Sequence, residues 1–232
     1  MLWLIGLVAA AVLSHTAPFP FLLDVTDRTV WHMPATDPPT VYLTFDDGPN
    51  PAATPMLLDA LRAEGATATF FLIDAHLTPE TAPIVRRMFE EGHGVGLHSN
   101  QRWLMLGGAE RIADRLREAA DRIERLAGSP PCPLFRPHAG WRSAAMYGAL
   151  DRLGYRLAGW SWGLWDWNWW RRREGAALAD RLARRVKDGD IVVIHDGHHI
   201  DPQPDRRYAI EATARLVPAL HARGLRVNRL PC

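Results

Sequence analysis

Val41-Tyr42-Leu43-Thr44-Phe45-Asp46-Asp47-Gly48-Pro49 is the stretch on which the reading of this chain turns. Val41, Leu43 and Phe45 favour a pleated strand, and Gly48-Pro49 is turn chemistry. The run predicts a strand that ends on two adjacent carboxylates. Consecutive strand residues point to opposite sides, so Asp46 and Asp47 can reach different partners. One suits a metal ion and the other a free base. The plainer reading is a strand closed by an ordinary Asp-Gly turn.

Downstream of Asp24 the chain alternates short β-like runs with amphipathic helical ones. Strands are expected at 41–45, 67–72, 95–98, 134–136, 155–160, 190–195 and 225–228. Helices are expected at 55–64, 79–91, 109–127, 143–153, 176–187 and 209–222. The third helix is the clearest, with Ile112, Leu116, Ala119, Ile123 and Leu126 at three- and four-residue steps. A glycine follows each helix, as a C-terminal stop should. Strand and helix in alternation predict a parallel sheet with helices outside. About seven such units suggest a single α/β domain built as a closed or nearly closed (β/α) barrel, in which catalytic groups sit at the C-terminal strand ends. Asp46, Asp47, His98, Arg136 and His195 all fall at such ends.

The chain has 232 residues, a size that single α/β barrels routinely reach. Its 27 basic and 26 acidic residues give a net charge of +1, which offers no basic excess for nucleic acid and excludes a highly charged disordered chain. Residues 1–23 carry no Asp, Glu, Lys or Arg. They read as a signal peptide or membrane anchor, although no positive segment precedes the apolar run and Pro18 and Pro20 oppose one straight helix. Export or membrane tethering is the expectation, and a buried hydrophobic element is the alternative. Cys132 and Cys232 lack zinc-site spacing. Pairing and two separate thiols are equally open.

His98, closing Gly94-Val95-Gly96-Leu97-His98, is a structural histidine if taken alone. Together with Asp47 it makes a donor set suited to Zn²⁺ or a similar divalent ion. Arg136, in Phe135-Arg136-Pro137-His138-Ala139-Gly140, suits the holding of a carboxylate through its fork of donors. The alternative is a surface ion pair of little worth. Small residues at Ala139 and Gly140 let backbone approach a ligand, so an N–H there suits an oxyanion. His195 ends the apolar run Ile191-Val192-Val193-Ile194. It caps a strand or serves as a general acid, with Asp166 able to tune it. Trp160, Trp162, Trp165, Trp167, Trp169 and Trp170 put six indoles within eleven residues. Such rings stack on sugars, pack a core or sit at a membrane interface.

Thr44-Phe45-Asp46-Asp47-Gly48-Pro49, His98-Ser99, Arg136-Pro137 with Gly140, Trp160 with Asp166-Trp167, and Ile191 to His195 resemble the five ordered motifs of the polysaccharide deacetylase family. That family is carbohydrate esterase family 4, or the NodB homology domain. The resemblance covers about residues 38–230. It implies a distorted (β/α) barrel and metal-dependent hydrolysis of N-acetyl, sometimes O-acetyl, groups on a glycan such as chitin-like polymer or peptidoglycan in the cell envelope. By matching position it implies Asp46 as base, Asp47 and His98 as metal ligands, and Arg136 as the group that orients Asp46. It also implies the Ala139 N–H in the oxyanion hole and His195 as acid, with Asp166 tuning it and Trp167 beside it. Trp165, close by, is a further substrate-binding candidate, and the divalent metal is expected to be Zn²⁺.

One departure bears on the metal. The family's second motif places another His four residues after the first, and here that position is Arg102. Guanidinium has no lone pair to give, whereas a catalytic zinc usually has three protein ligands. His138 or His198 is the candidate third ligand, with His199, Asn100 and Gln101 nearby. Weak binding with extra waters, or a metal-free site using the Arg102 charge, are the other outcomes. His138-Ala139 also stands where the family commonly has Pro-Tyr. The competing function is a carbohydrate-binding protein of this fold with impaired catalysis.

Overall fold

The computed structural model describes residues 3–6, 28–163 and 174–232. The elements run β1 (Thr29–Val30), β2 (Thr40–Gly48), α1 (Thr54–Ala63), β3 (Thr69–Ile73), α2 (Ala82–Glu90), β4 (Gly94–His98), α3 (Ala109–Ala127), β5 (Leu134–Arg136), α4 (Ala144–Leu153), β6 (Arg156–Ala158), β7 (Trp162–Gly163), α5 (Gly175–Arg185), β8 (Ile191–His195), α6 (Arg207–His221) and β9 (Arg226–Asn228). Every strand pairing is parallel, in the order β1-β6-β5-β4-β3-β2-β8-β7, with β9 also on β2.

The sheet curls, and the chain itself joins its two ends. Between β6 and β7 the Gly159 N–H bonds the Val30 carbonyl and the Ser161 N–H bonds the Ile191 carbonyl. A bridge between His32 and Asp190 spans the same gap. The expected alternation is present, with three differences. β1 and β7 are two residues each, too short for any periodicity to betray them. The last strand does not add a stave. It lies along Thr40–Tyr42 of β2 on the side where β3 takes over from Thr44. Trp160 falls outside β6, in the crossing between the sheet ends.

Period-two alternation sorts the side chains into two layers. Val41, Leu43, Phe45, Phe70, Leu72, Val95, Leu97, Val192 and Ile194 are buried in the layer shared with the helices. Tyr42, Phe71, Leu134, Ala158 and Ile191 fill the interior of the curl with Cys132 and Leu230. Strand β4 shows why the sequence reads Gly-x-Gly-x-His. A Cβ on Gly96 would lie 2.7 Å from the Phe71 ring, so β4 can offer the interior no side chain until His98 at the mouth. Helix α3 buries Ile112, Leu116, Ala119 and Ile123 along one stripe and stops at Gly128, whose φ of 81° is left-handed.

Cys132 and Cys232 are joined in a disulfide, so the C-terminal residue is fastened to the chain entering β5. The bond closes a separation of 100 residues. The double variant Cys132→Ser/Cys232→Ser is expected to lose roughly 2–5 kcal/mol of unfolding free energy. Urea unfolding checks this, and an unchanged midpoint would show that the crosslink contributes nothing.

Candidate active site and metal centre

Among the described residues, the guanidinium of Arg136 is a cation buried in the interior of the curl. Arg136, fully buried at the end of β5, donates from Nη1 to Asp46 Oδ1 at 2.6 Å and to Thr44 Oγ1 at 2.8 Å. Its Nη2 donates to the Gly159 carbonyl at 2.7 Å and its Nε to the Ala158 carbonyl at 3.2 Å. Those carbonyls are available because β6 ends at Ala158. The guanidinium lies over the Phe71 ring at 4.1 Å and near Trp160 at 5.7 Å. A desolvated guanidinium is tolerable only with such a set of partners.

Asp46 keeps the strand alternation and points inward, beside His195, its register partner on β8. Asp47 does not continue it. Its φ is 73°, and the β2–β3 register shifts between Asp46 and Gly48. The left-handed residue turns the second carboxylate towards β4. There Asp47 Oδ1 comes within 3.2 Å of His98 Nε2. His98 Nδ1 lies 2.6 Å from the Arg136 carbonyl, which can only accept, so Nδ1 carries the proton. In the neutral ring Nε2 then presents a lone pair to a carboxylate oxygen that is itself buried without a hydrogen bond. Two facing acceptors at that distance call for a proton or a metal cation between them.

His138 supplies a third donor. One ligand atom from each of Asp47, His98 and His138 lies within 4.8 Å of the others, and all three residues are buried. No other such group occurs among the described residues. An oxygen and two imidazole nitrogens are a donor set that divalent zinc accepts. Burial works to raise the Asp47 pKa, but the imidazoles of His98, His195 and His138 outweigh it and hold the carboxyl well below its ordinary range. Burial opposes protonation of His98, yet Asp46 and Asp47 raise its pKa overall. The pocket favours a positive charge in both respects.

Of the other sequence candidates, His198 does not join this group. Its Nδ1 accepts from the Ile200 and Asp201 N–H groups at 3.3 and 3.1 Å, closing its own loop. His199 sits beside His138, with ring centroids 4.7 Å apart. Ala139 has φ 53° in the turn His138–Gly140. Asp47 and Ala139 are the two non-glycine residues with positive φ among the described residues, and both lie at this mouth. Backbone held in that region costs on the order of 1–2 kcal/mol per residue and collects at functional sites. Trp160 packs against the interior cluster and Trp162 against the helix-side layer: Trp160 meets Trp31 edge-on, and Trp162 Nε1 donates to Asp190 Oδ2 at 3.0 Å. Asp166, Trp165 and Trp167 lie outside the described residues, as do residues 7–27 of and beyond the N-terminal apolar segment. Among the described residues no helix is long and apolar enough to cross a membrane.

Sequence reasoning missed two groups. His76, buried in a 3₁₀ turn after β3, offers Nδ1 to the Asp47 carbonyl at 3.2 Å. Asp196, next to His195, is buried under the elbow and accepts from the Thr54 hydroxyl. Its backbone N–H and that of Gly197 bond the Asp46 carbonyl. The elbow has no room for side chains here. A Cβ on Gly48 would lie 2.6 Å from Asp196 Oδ2, and one on Gly197 would lie 1.9 Å from the Asp47 carbonyl oxygen.

A curled parallel sheet with an Arg-held aspartate, a second aspartate and histidines at its mouth is an arrangement suited to metal-assisted hydrolysis. Residues 34–158 match the family Polysaccharide deacetylase, and the chain belongs to that family. It is 30% identical over 205 residues to a peptidoglycan-N-acetylglucosamine deacetylase of Bacillus cereus, covering 88% of this chain and 92% of the relative. It is 33% identical over 208 residues to a chitooligosaccharide deacetylase of Sinorhizobium fredii, covering 84% and 92%. Among solved structures it resembles a family 4 acetyl xylan esterase from Clostridium thermocellum in complex with a cobalt ion. There the TM-score is 0.72 at 29% identity, over 82% of this chain and 87% of that one.

Burial raises the Asp196 pKa to about 7, with the Asp47 charge adding and the Thr54 hydroxyl and Arg206 opposing. The folded state therefore holds this proton more tightly than the unfolded chain. The resulting stability is fully present below about pH 4 and is lost as pH rises through about 7. Asp196→Asn, which does not titrate, is expected to flatten the stability profile across that window. Urea unfolding at pH 5 and pH 8 checks this, and parallel profiles for the two proteins would refute it.

Proposed function

We propose that this protein hydrolyses N-acetyl groups on an amino-sugar polymer of the cell envelope, using a divalent metal, most suitably Zn²⁺, held by Asp47, His98 and His138. The observation that carries the reading is the convergence of those three donors beside the Arg136-held Asp46. His138 would stand in for the imidazole that the Arg102 position lacks. When bound, the metal would polarise the acetyl carbonyl and ease deprotonation of the attacking water.

The chain's own residues would do the rest. Asp46, oriented by Arg136, takes a proton from water as the oxygen attacks the acetyl carbon. The tetrahedral oxyanion is stabilised by the Ala139 N–H. His195 gives a proton to the sugar nitrogen as the carbon–nitrogen bond breaks, and acetate and a free amine leave. Asp166 is assigned the tuning of His195, and Trp167 and Trp165 contact with the glycan. The relatives named above, one acting on peptidoglycan and one on chitooligosaccharide, support an acetylated glucosamine polymer as substrate. The apolar residues 1–23 and the Cys132–Cys232 bond support a location outside the reducing cytosol, exported or membrane-anchored.

Arg102 favours one alternative, a glycan-binding protein without turnover. Acetate release from N-acetylglucosamine oligomers, with zinc or cobalt supplied, separates the two. Binding without release under every metal would establish the alternative. His138→Ala is expected to weaken zinc binding to the chelated protein by at least about tenfold, the size of effect seen even for partners one step removed from a metal. Calorimetric titration checks this, and unchanged affinity would remove His138 from the donor set. Asp46→Asn should cut turnover about 10²–10⁴-fold while zinc and glycan affinities stay level. A variant with full activity would show that the base lies elsewhere.

A further inference from the structure

Residues 229–232 follow β9 and turn in under the sheet, at the end where the strands begin. Leu230, 2% exposed, sits there in the interior cluster with Phe71, Tyr42, Leu134 and Ile191. Its N–H donates to Thr69 Oγ1 at 2.9 Å, and the Arg229 N–H donates to Thr67 Oγ1 at 3.1 Å. Arg156 Nη2 donates to the Pro231 carbonyl at 2.6 Å, and the Cys132–Cys232 bond closes the segment onto the chain entering β5. Thr69 precedes Phe71 by two residues on β3, so both face the interior. Leu230 is therefore fastened one side-chain layer below the ring on which the Arg136 guanidinium rests at 4.1 Å. Leu230, Phe71, Arg136 and Asp46 make a column from the floor of the curl to its mouth.

We propose that Leu230 is a positioning residue for Asp46, acting through Phe71 and Arg136, and that the Cys132–Cys232 bond serves the reaction by keeping Leu230 seated. The proposal rests on the deacetylase reading for its effect on rate. The fixing of the carboxylate rests on packing alone. β4 has no side chain to fill the place of Leu230, because the register partners of Thr69 and Phe71 there are Gly94 and Gly96. A close-packed interior relaxes only in part around a deleted side chain. Without Leu230 the Phe71 ring has a void to retreat into, and the face of the guanidinium loses its cover. The bonds of 2.6–3.2 Å that Arg136 makes to Asp46, Thr44 and the Ala158 and Gly159 carbonyls then loosen together. A base displaced even slightly from its line of attack loses rate steeply. The proposed metal donors are held otherwise, Asp47 by the elbow and His98 by the Arg136 carbonyl.

The test compares wild type with Leu230→Ala, Leu230→Met and Leu216→Ala. Leu216 is fully buried on α6 in the helix-side layer, so its truncation is of equal size but lies away from the column. Leu230→Ala is expected to lose about tenfold or more in kcat on N-acetylglucosamine oligomers, with KM and zinc affinity level. Leu230→Met, close in volume, should recover the rate, and Leu216→Ala should keep it. A second measurement needs no turnover. Exchange of the Arg136 Nε–H, which bonds the Ala158 carbonyl, is followed by NMR on the folded proteins. It should quicken about tenfold in Leu230→Ala and stay level in Leu216→Ala. Cys132→Ser/Cys232→Ser should quicken it too, and no change there would overturn the part assigned to the bond. If wild type releases no acetate, the exchange rate alone decides, so failure of the positioning and failure of the deacetylase reading are told apart. Should Leu230→Ala not fold, the smaller truncation Leu230→Val carries both measurements. Unchanged exchange, an unchanged kcat in an active enzyme, or equal losses in Leu230→Ala and Leu216→Ala would overturn the proposal.

Discussion

The buried pairing of Arg136 with Asp46 is the constraint to which the rest of the interior is fitted. Removing a guanidinium from water is costly, and losing its partner would leave an uncompensated charge in the core. The fold meets this demand from four directions at once. β2 gives Thr44 and Asp46, β6 gives the Ala158 carbonyl, the crossing segment gives the Gly159 carbonyl, and β3 lays Phe71 under the cation. Thr44 in turn donates to the Val192 carbonyl of β8, so the ion pair is bonded into strands on both sides of the curl. The bare interior face of β4, with glycine at 94 and 96, makes room for the aromatic ring that the cation needs.

The same pair explains how neighbouring aspartates acquire different environments. Strand alternation alone would send Asp47 to the helix side of the sheet, into the apolar layer. The left-handed turn at Asp47 prevents that and returns its carboxylate to the mouth, opposite His98. The conformation is maintained by its surroundings. Asp196 and Gly197 grip the Asp46 carbonyl, His76 meets the Asp47 carbonyl, and Asn50 ties the turn to the Asp196 and Pro204 carbonyls at 2.9 and 3.0 Å. Asp46 thus stays an inward carboxylate fixed by a cation, while Asp47 becomes part of an anionic and imidazole-lined pocket.

Much of this was legible in the sequence because it follows from periodicity and local punctuation. The apolar alternation in 41–45 and 190–195, the helical stripe from Ile112 to Ile123 and the glycine stops all have local causes, and they fixed the barrel. Asp46, Asp47, His98, Arg136 and His195 were legible because barrel geometry gathers strand ends. The rest depended on contacts between distant segments. His138 and His198 looked alike in sequence, both on loops at the same face. Only the turn after Arg136, and the closed loop around His198 Nδ1, separate them. His76 carried no signal, since a histidine in a short turn after an apolar strand has no preferred role. Asp196 was not singled out beside His195, and its burial under Gly48 is a packing fact. The pairing of Cys132 with Cys232 needed the C-terminal residue to be brought to the start of β5.

A donor set at a barrel mouth is defined by which strand ends are neighbours. β4 and β5 are paired so that His98 and Arg136 are register partners. A residue two positions beyond Arg136 therefore reaches the space above His98 as readily as one four positions beyond His98 itself. If Asp47, His98 and His138 hold the cation, an imidazole has been exchanged between adjacent loops while the centre keeps one oxygen and two nitrogen donors. The exchange also frees the segment after His98, whose Arg102–Leu106 is a 3₁₀ turn with Trp103 exposed, from any duty to the metal. Spacing within one motif is then a poor guide to ligation in this chain, and adjacency across the sheet is the physical quantity that matters.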